Sequence, residues 1–347
     1  MIVGVQGHDK VNIGMAQDAG FDCVEHLGQI VPLNMMRRGD SVKVGDFLQY
    51  LNRARDEDYP YLVISTAGDA SAEDLRKIIR ENADEIVKAG IPIYIENGMS
   101  GDDVRGYISN EFSDTRVLKE IVQWADKVCR KPLFGICVNT GYANLTAKNP
   151  RLLLEGAGNY LKLVHVNDND GFINSMQMPY TFTKGRGDVT TDYYRLVGAL
   201  AGMHYDERMI FDAVGLFNRT PASLMPAMLD MLANIAMYWL HIINYEGMLD
   251  GGRKIILFGA GRMAGNYMHI WGDRFKPAFL VDNDKDKWGT YHRGIEIKPP
   301  EAILEIPADE RLVLLCNMRY EEIGMQLAMM GVEYAEYDDN YYDFIVQ

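Results

Sequence analysis

Polar side chains recur where apolar runs end. Glu25 follows DCV, Glu96 follows IPIYI, Asn139 follows FGICV, His165 lies in LKLVHV with Asp168 three residues on, and Asp212 follows MIF. If these runs are strands opening at one mouth, two or three carboxylates, an imidazole and an amide converge there. Such an oxygen-rich, nitrogen-assisted set suits Mg²⁺, Mn²⁺ or Zn²⁺. An ion in it would polarise a sugar carbonyl or stabilise the enediolate left when a carboxylate removes the neighbouring proton. Two carboxylates flanking a substrate carbon would also serve epimerisation, one as base and one as acid. Glu96, His165, Asp168 and Glu25 are therefore the candidate catalytic residues, with Glu96, His165 and Asp212 as the core and Asp168 or Glu25 as proton handlers, and His8, by the same placement, is a candidate substrate contact. The plain alternative is that such loops are polar by default, with His165 a hydrogen-bonded histidine beneath a pocket.

The elements that must position these groups follow an alternating pattern. Short apolar strands are expected at 2–6, 19–27, 61–66, 91–98, 132–141, 161–166 and 207–215, most of them separated by helices. The pivot is 161–171, LKLVHVNDNDG, because polar side chains at the carboxyl end of a buried parallel strand are where α/β folds place chemistry. Seven strands of this kind imply an α/β fold of TIM type, with an open doubly wound sheet as the alternative. An eighth strand cannot be placed, so the barrel is expected to be incomplete or the missing strand short and irregular. The polar excursion at 99–113 could form a lid. Lys184 and Arg186, in the KGRGD turn, could grip a phosphate or carboxylate, or simply be solvated. Tyr142 could stack on a sugar ring or pack as roof.

The turn-rich GMLDGG at 247–252 marks a boundary, giving a barrel over 1–247 and a second domain over 252–347. There a strand runs into GAGRMAG, where Gly259, Gly261 and Gly265 precede a helix. Asp282 ends the next strand. Exposed N–H groups at such a turn could accept a nucleotide phosphate and Asp282 a ribose hydroxyl; the glycines could instead only permit close packing. The segment reads as a small Rossmann-like parallel-sheet domain, short for a complete dinucleotide fold.

Composition bounds the reading. A chain of 347 residues, 48% hydrophobic and 24% charged, suits a globular protein of two domains. A net charge of -14 disfavours a nucleic-acid surface. Cys23, Cys129, Cys137 and Cys316 form no CxxC pair, which fits a reducing, cytoplasmic setting and argues against a structural thiolate metal site. Met1 leads directly into a strand with no basic leader, so no signal peptide is expected. The apolar 224–243 segment contains Pro226, Asp230, Asn234 and His241 and reads as a core helix rather than a membrane span. The tail at 338–347 could contribute to a homo-oligomer contact.

Six pieces carry a resemblance: GFDCVEH (20–26), IYIENG (93–98), GICVNTGYANL (135–145), LVHVNDNDG (163–171), GRGDV (185–189) and IFDAVG (210–215). Their order and spacing over the first 245 residues resemble the xylose isomerase-like TIM barrel superfamily of sugar-phosphate isomerases and epimerases. The resemblance implies a divalent metal held at Glu96, Asn139, His165 and Asp212. The family's Asp-Thr-Gly-His stands here as Asn139, Thr140, Gly141 and Tyr142, and its last glutamate as Asp212, so a carboxylate and an imidazole are missing. The histidine set and basic groove of the superfamily's AP endonuclease branch are not evident. The C-terminal segment resembles small Rossmann-like domains attached to enzymes of polysaccharide and nucleotide-sugar metabolism. Together these imply a sugar, sugar-phosphate or nucleotide-sugar isomerase or epimerase acting on a small carbohydrate. The rivals are an inactive barrel that binds carbohydrate or nucleotide-sugar, and an NAD-dependent oxidoreductase.

Overall fold

A computed structural model describes residues 1–26, 29–33, 37–38, 41–42, 44–182 and 191–337; Lys184 and Arg186 lie outside them. The chain divides into two compact units, Met1–Ile243 and Asn244–Gln347.

The first unit is built on eight parallel strands: β1 (Ile2–Gln6), β2 (Cys23–Glu25), β3 (Ile30–Pro32), β4 (Leu62–Ser65), β5 (Ile93–Glu96), β6 (Phe134–Asn139), β7 (Leu161–Val166) and β8 (Arg208–Phe211). Their order in the sheet is β2-β1-β8-β7-β6-β5-β4-β3. Spatial neighbours are chain neighbours except that β1 pairs with β8, which brings the first strand to the last and curls the sheet into a TIM-type arrangement. Among the described residues its one unpaired seam falls between β2 and β3.

The eighth strand thus exists and is short, the second of the two alternatives left by the sequence, and the barrel is not limited to seven strands. It is β3, paired with β4 from Ile30↔Val63 to Pro32↔Ser65. Three residues are too few to show a period of two, and Pro32 is tolerable because it borders the seam, where no ladder N–H is needed.

Local chemistry sets the helices. Ser71 Oγ accepts from Asp74 N while the Asp74 carboxylate accepts from Ser71 N, a reciprocal cap that starts the helix Ala72–Glu81. Leu75, Ile78 and Ile79 recur at three- and four-residue spacing and are fully buried. The 99–113 excursion contains a hairpin pairing Ser100–Asp102 with Gly106–Ile108. The helical stretch Ala222–Leu249, which includes the α-helix Met225–Leu249, is long and apolar enough to cross a membrane. Its Trp239 is fully buried, stacked on Tyr193 with ring centroids 5.4 Å apart and tilted against Phe211 at 5.5 Å, so part of its apolar surface has a protein partner.

Alternation along the strands builds the lumen. Tyr61, Val63, Tyr94, Cys137, Leu163 and Ile210 form one buried cluster inside the sheet, with Cys23 against it. Successive residues of a strand face opposite sides, so the next inward position on each strand lies two residues on. Those positions are Glu25, Ser65, Glu96, Asn139, His165 and Asp212. An apolar plug therefore lies beneath a polar layer at the carboxyl ends of the strands.

The second unit holds a six-stranded sheet of β9 (Lys254–Phe258), β10 (Phe279–Val281), β11 (Tyr291–His292), β12 (Ile295–Lys298), β13 (Arg311–Leu315) and β14 (Ala335–Glu336), ordered β11-β12-β10-β9-β13-β14. All neighbours are parallel except the hairpin β11–β12. The strands β11, β12 and β14 add to the three read from sequence. Gly259 has φ 115°, and a Cβ there would stand 2.5 Å from the carbonyl oxygen of Cys316, so this glycine is required by the close approach of the ends of β9 and β13.

Candidate active site at the barrel mouth

Five of the predicted residues lie in one buried hydrogen-bonded chain. His165 Nδ1 is 2.6 Å from Glu96 Oε1, and its Nε2 is 3.2 Å from Glu25 Oε2 and 3.1 Å from Oε1. The Tyr61 hydroxyl rises from the plug to donate to Glu25 Oε2 at 2.9 Å. On the other side Asn139 Nδ2 donates to Glu96 Oε1 at 3.0 Å, Asn167 Nδ2 donates to Asn139 Oδ1 at 3.0 Å, and Asn167 reaches Asp212 Oδ2 at 3.5 Å. Glu25, Glu96, Asn139, His165 and Asp212 are each at most 5% exposed. Asn167 Oδ1 is a fully buried atom of this chain that accepts no hydrogen bond among the described residues, and Glu25 Oε1 meets only the His165 ring, at 3.1 Å.

Electrostatics follow from that burial. Desolvation works against the His165 imidazolium, yet acidic neighbours outweigh it and hold the ring well above the usual histidine range. Of these neighbours the Cys137 thiol is itself pushed up to about 12 by burial. Burial also raises Asp212, to about 6, despite the attraction of His165.

Asn139 occupies its place for a local reason. Its Oδ1 accepts from Tyr142 N at 3.1 Å, capping the helix Thr140–Leu145 that starts as β6 ends. That cap and the bond from Asn167 fix which amide atom is which, and turn an N–H₂ donor towards Glu96. Gly141 makes room for this: a Cβ there would meet Asn167 Oδ1 at 1.6 Å.

The remaining predicted residues stand apart from the chain. The Asp168 carboxylate accepts from the main-chain amides of Asn169, Thr181 and Phe182 at 2.9–3.1 Å, tying down the loop after β7. His8 lies at the rim, its Nε2 2.9 Å from Asn218 Oδ1 and its ring beside Phe217. Tyr142 packs with Met99 and Leu145 over the mouth and is nearly buried. In the second unit, Gly261 caps the helix Arg262–Ile270, and Gly265 lies beside His292 and Arg293. Asp282 accepts from Ala260 N at 2.9 Å, Asp284 N at 2.9 Å and Lys287 Nζ at 3.0 Å. Partial burial opposes its ionisation, but these donors hold the carboxyl below its usual range, and they brace the glycine turn.

Sequence reading missed Tyr61, Cys137 and Asn167. The signal was available as parity, since each lies two residues from an inward-facing position of its strand: Tyr61 before Val63, Cys137 before Asn139, Asn167 after His165.

The fit of a metal can be judged from the donors. The four-residue set Glu96, Asn139, His165 and Asp212 does not fit as built, because Asn139 presents hydrogens, not a lone pair, to the space beside Glu96. A second set does: one ligand atom each from Glu96, Cys137 and His165 lies within 4.8 Å of the others, all buried.

No family model and no curated sequence matches this chain. Solved structures do. An L-ribulose 3-epimerase superposes with a TM-score of 0.51 at 12% identity, covering 72% of this chain and 98% of that one. A 3-keto-D-glucoside 4-epimerase from E. coli gives 0.46 at 13%, covering 67% and 99%. A D-psicose 3-epimerase gives 0.46 at 13%, covering 71% and 100%. At such identities it is the fold that the chain shares with L-ribulose 3-epimerase.

Proposed function

We propose that the barrel is a carbohydrate isomerase or epimerase that moves a proton at a carbon next to a carbonyl. The observation that carries this reading is His165 held between two buried carboxylates, 2.6 Å from Glu96 and 3.1–3.2 Å from Glu25. The Glu25 carboxylate is fixed in place by its bonds to His165 and Tyr61, and the adjacent imidazolium stabilises the negative charge that develops as the substrate proton leaves. Glu25 takes the proton, His165 keeps its carboxylate oriented, and Glu96 with Asn139 holds the far side of the ring. With a divalent ion held by Glu96, Cys137 and a His165 ring that has given up its Nδ1 proton, the ion would supply the charge stabilisation in place of the imidazolium, by polarising the substrate carbonyl. The carbohydrate substrate is supported by the epimerase that shares the fold.

The test is solvent exchange. Aldoses, ketoses and their phosphates are incubated with the protein in D₂O and followed by proton NMR. Deuterium should enter at the carbon next to the carbonyl, with Glu25→Gln slowing it by about 100-fold or more. Tight binding of a sugar with no exchange would instead favour a second reading, a barrel that binds carbohydrate without turnover. The amide of Asn139 beside Glu96 favours that rival.

For the second unit, parallel strands in the order β12-β10-β9-β13-β14 reverse direction of winding at β9, beside the glycine turn. That supports a Rossmann-like nucleotide-binding reading, by crevice position rather than by Asp282.

A further inference from the structure

We infer that the barrel lumen is a binding site for a thiolate-preferring divalent cation of the zinc class, held by Glu96, Cys137 and His165. These residues stand on the adjacent parallel strands β5, β6 and β7, and Cys137 is the register partner of Glu96. Their donor atoms lie within 4.8 Å of one another and all three side chains are buried. A thiolate, an imidazole and a carboxylate together favour Zn²⁺ over Mg²⁺ or Mn²⁺, which prefer oxygen alone. The expectation that the cysteines hold no metal rested on the absence of CxxC spacing; three parallel strands deliver three ligands with no sequence spacing at all.

The surroundings are those of a ligand shell. A histidine that binds a metal through one nitrogen usually donates its other N–H to a carboxylate. His165 Nε2 faces Glu25 at 3.1–3.2 Å, which directs Nδ1 to the side of Glu96 and Cys137. Tyr61 in turn fixes Glu25, and the Asn139 amide fixes Glu96. Asn139 is thus a brace for a ligand, and the ion sits beside Cys137 instead of between Asn139 and Asp212. On binding, the Cys137 thiol proton and the Nδ1 proton of His165 pass to solvent, so uptake of the ion releases protons. Three protein ligands leave one position for water or substrate. The inference shares the lumen with the isomerase reading but stands without it, because its test needs no substrate.

The full-length protein, stripped with chelator, is titrated with Zn²⁺ and with Co²⁺, and in parallel with Mg²⁺ and Mn²⁺. We expect one equivalent of Zn²⁺ with proton release by calorimetry, and a Co²⁺ complex with a thiolate-to-cobalt charge-transfer band in the near ultraviolet. Cys137→Ser should abolish the band and weaken Zn²⁺ by about 100-fold or more, while Asn139→Ala should keep the band with affinity reduced by about 10- to 100-fold. The wild-type band itself reports sulfur ligation even if a variant fails to fold. A Co²⁺ spectrum without that band, binding that depends on Asp212 and not on Cys137, or no stoichiometric Zn²⁺ uptake by the folded protein would each overturn the assignment.

Discussion

Asn139 Oδ1 accepts the Tyr142 main-chain N–H at 3.1 Å, and this cap points the Asn139 amide nitrogen at Glu96 Oε1, 3.0 Å away. Asn139→Asp keeps the cap but sets two buried carboxylates against each other. In chelator the variant should lose about 2–4 kcal/mol in urea unfolding, and Mn²⁺ should restore most of it, because the second carboxylate supplies the hard oxygen that the amide withholds. Unchanged stability in chelator would mean that the amide does not donate to Glu96.

His165 neutralises charge on both sides, so its removal should cost more than a single hydrogen bond. His165→Ala leaves Glu25 and Glu96 buried without their shared partner, a loss of about 3–5 kcal/mol. Denaturant midpoints at neutral pH measure it, and a drop under about 1 kcal/mol would show that water replaces the ring at once.

Much of this was legible in the chain itself. Glu25, Glu96, Asn139, His165 and Asp212 stand out in the sequence because each lies at or next to the end of an apolar run, and a strand's end is visible in one dimension. Which of them touch was not legible, because that depends on neighbours in the sheet: Asn139 pairs in register with His165, and Cys137 with Glu96. Asp168 shows the reverse relation between sequence position and contacts. Its position beside His165 suggested chemistry, but it lies outside the alternating register, and its carboxylate is engaged by Thr181 and Phe182, amides that no local pattern announces. Strand β3 was invisible because three residues ending in proline carry no periodicity, and β12 and β14 because neighbouring strands, not their own composition, hold them. Asp282 was found at the right strand end, yet the donors from Ala260, Asp284 and Lys287 that occupy it come from the folded turn.

Gly141 tests whether the Asn139–Asn167 contact is a tight one. A methyl group at Gly141 would overlap Asn167 Oδ1, which lies 1.6 Å from where the Cβ would stand. Gly141→Ala should destabilise by about 3 kcal/mol and disturb the chain from Asn139 to Asp212, since a buried amide cannot move without breaking its bonds. Gly141→Ala in an Asn167→Ala background should cost clearly less. Equal costs in both backgrounds would place the strain elsewhere.

Asp212 predicts a pH dependence with a definite sign. Burial raises its carboxyl from 3.8 to about 6, so between those values the native state holds a proton that the unfolded state has released. The native state therefore loses stability as pH rises through that window, and above about pH 6 the full penalty is present, with an upper limit of about 3 kcal/mol. Asp212→Asn removes this titration and keeps one oxygen, for the Val214 amide, while the new N–H₂ faces Asn167, a cost that does not vary with pH and so leaves the slope of the difference intact. Relative to wild type, the variant should gain stability between about pH 4 and pH 7. The comparison is made by urea unfolding of both proteins across that range, where titrations common to the two cancel in the difference. A difference that stays flat, or that moves against the variant as pH rises, would show that Asp212 is ionised in the native barrel at low pH, held by His165 more strongly than burial opposes it.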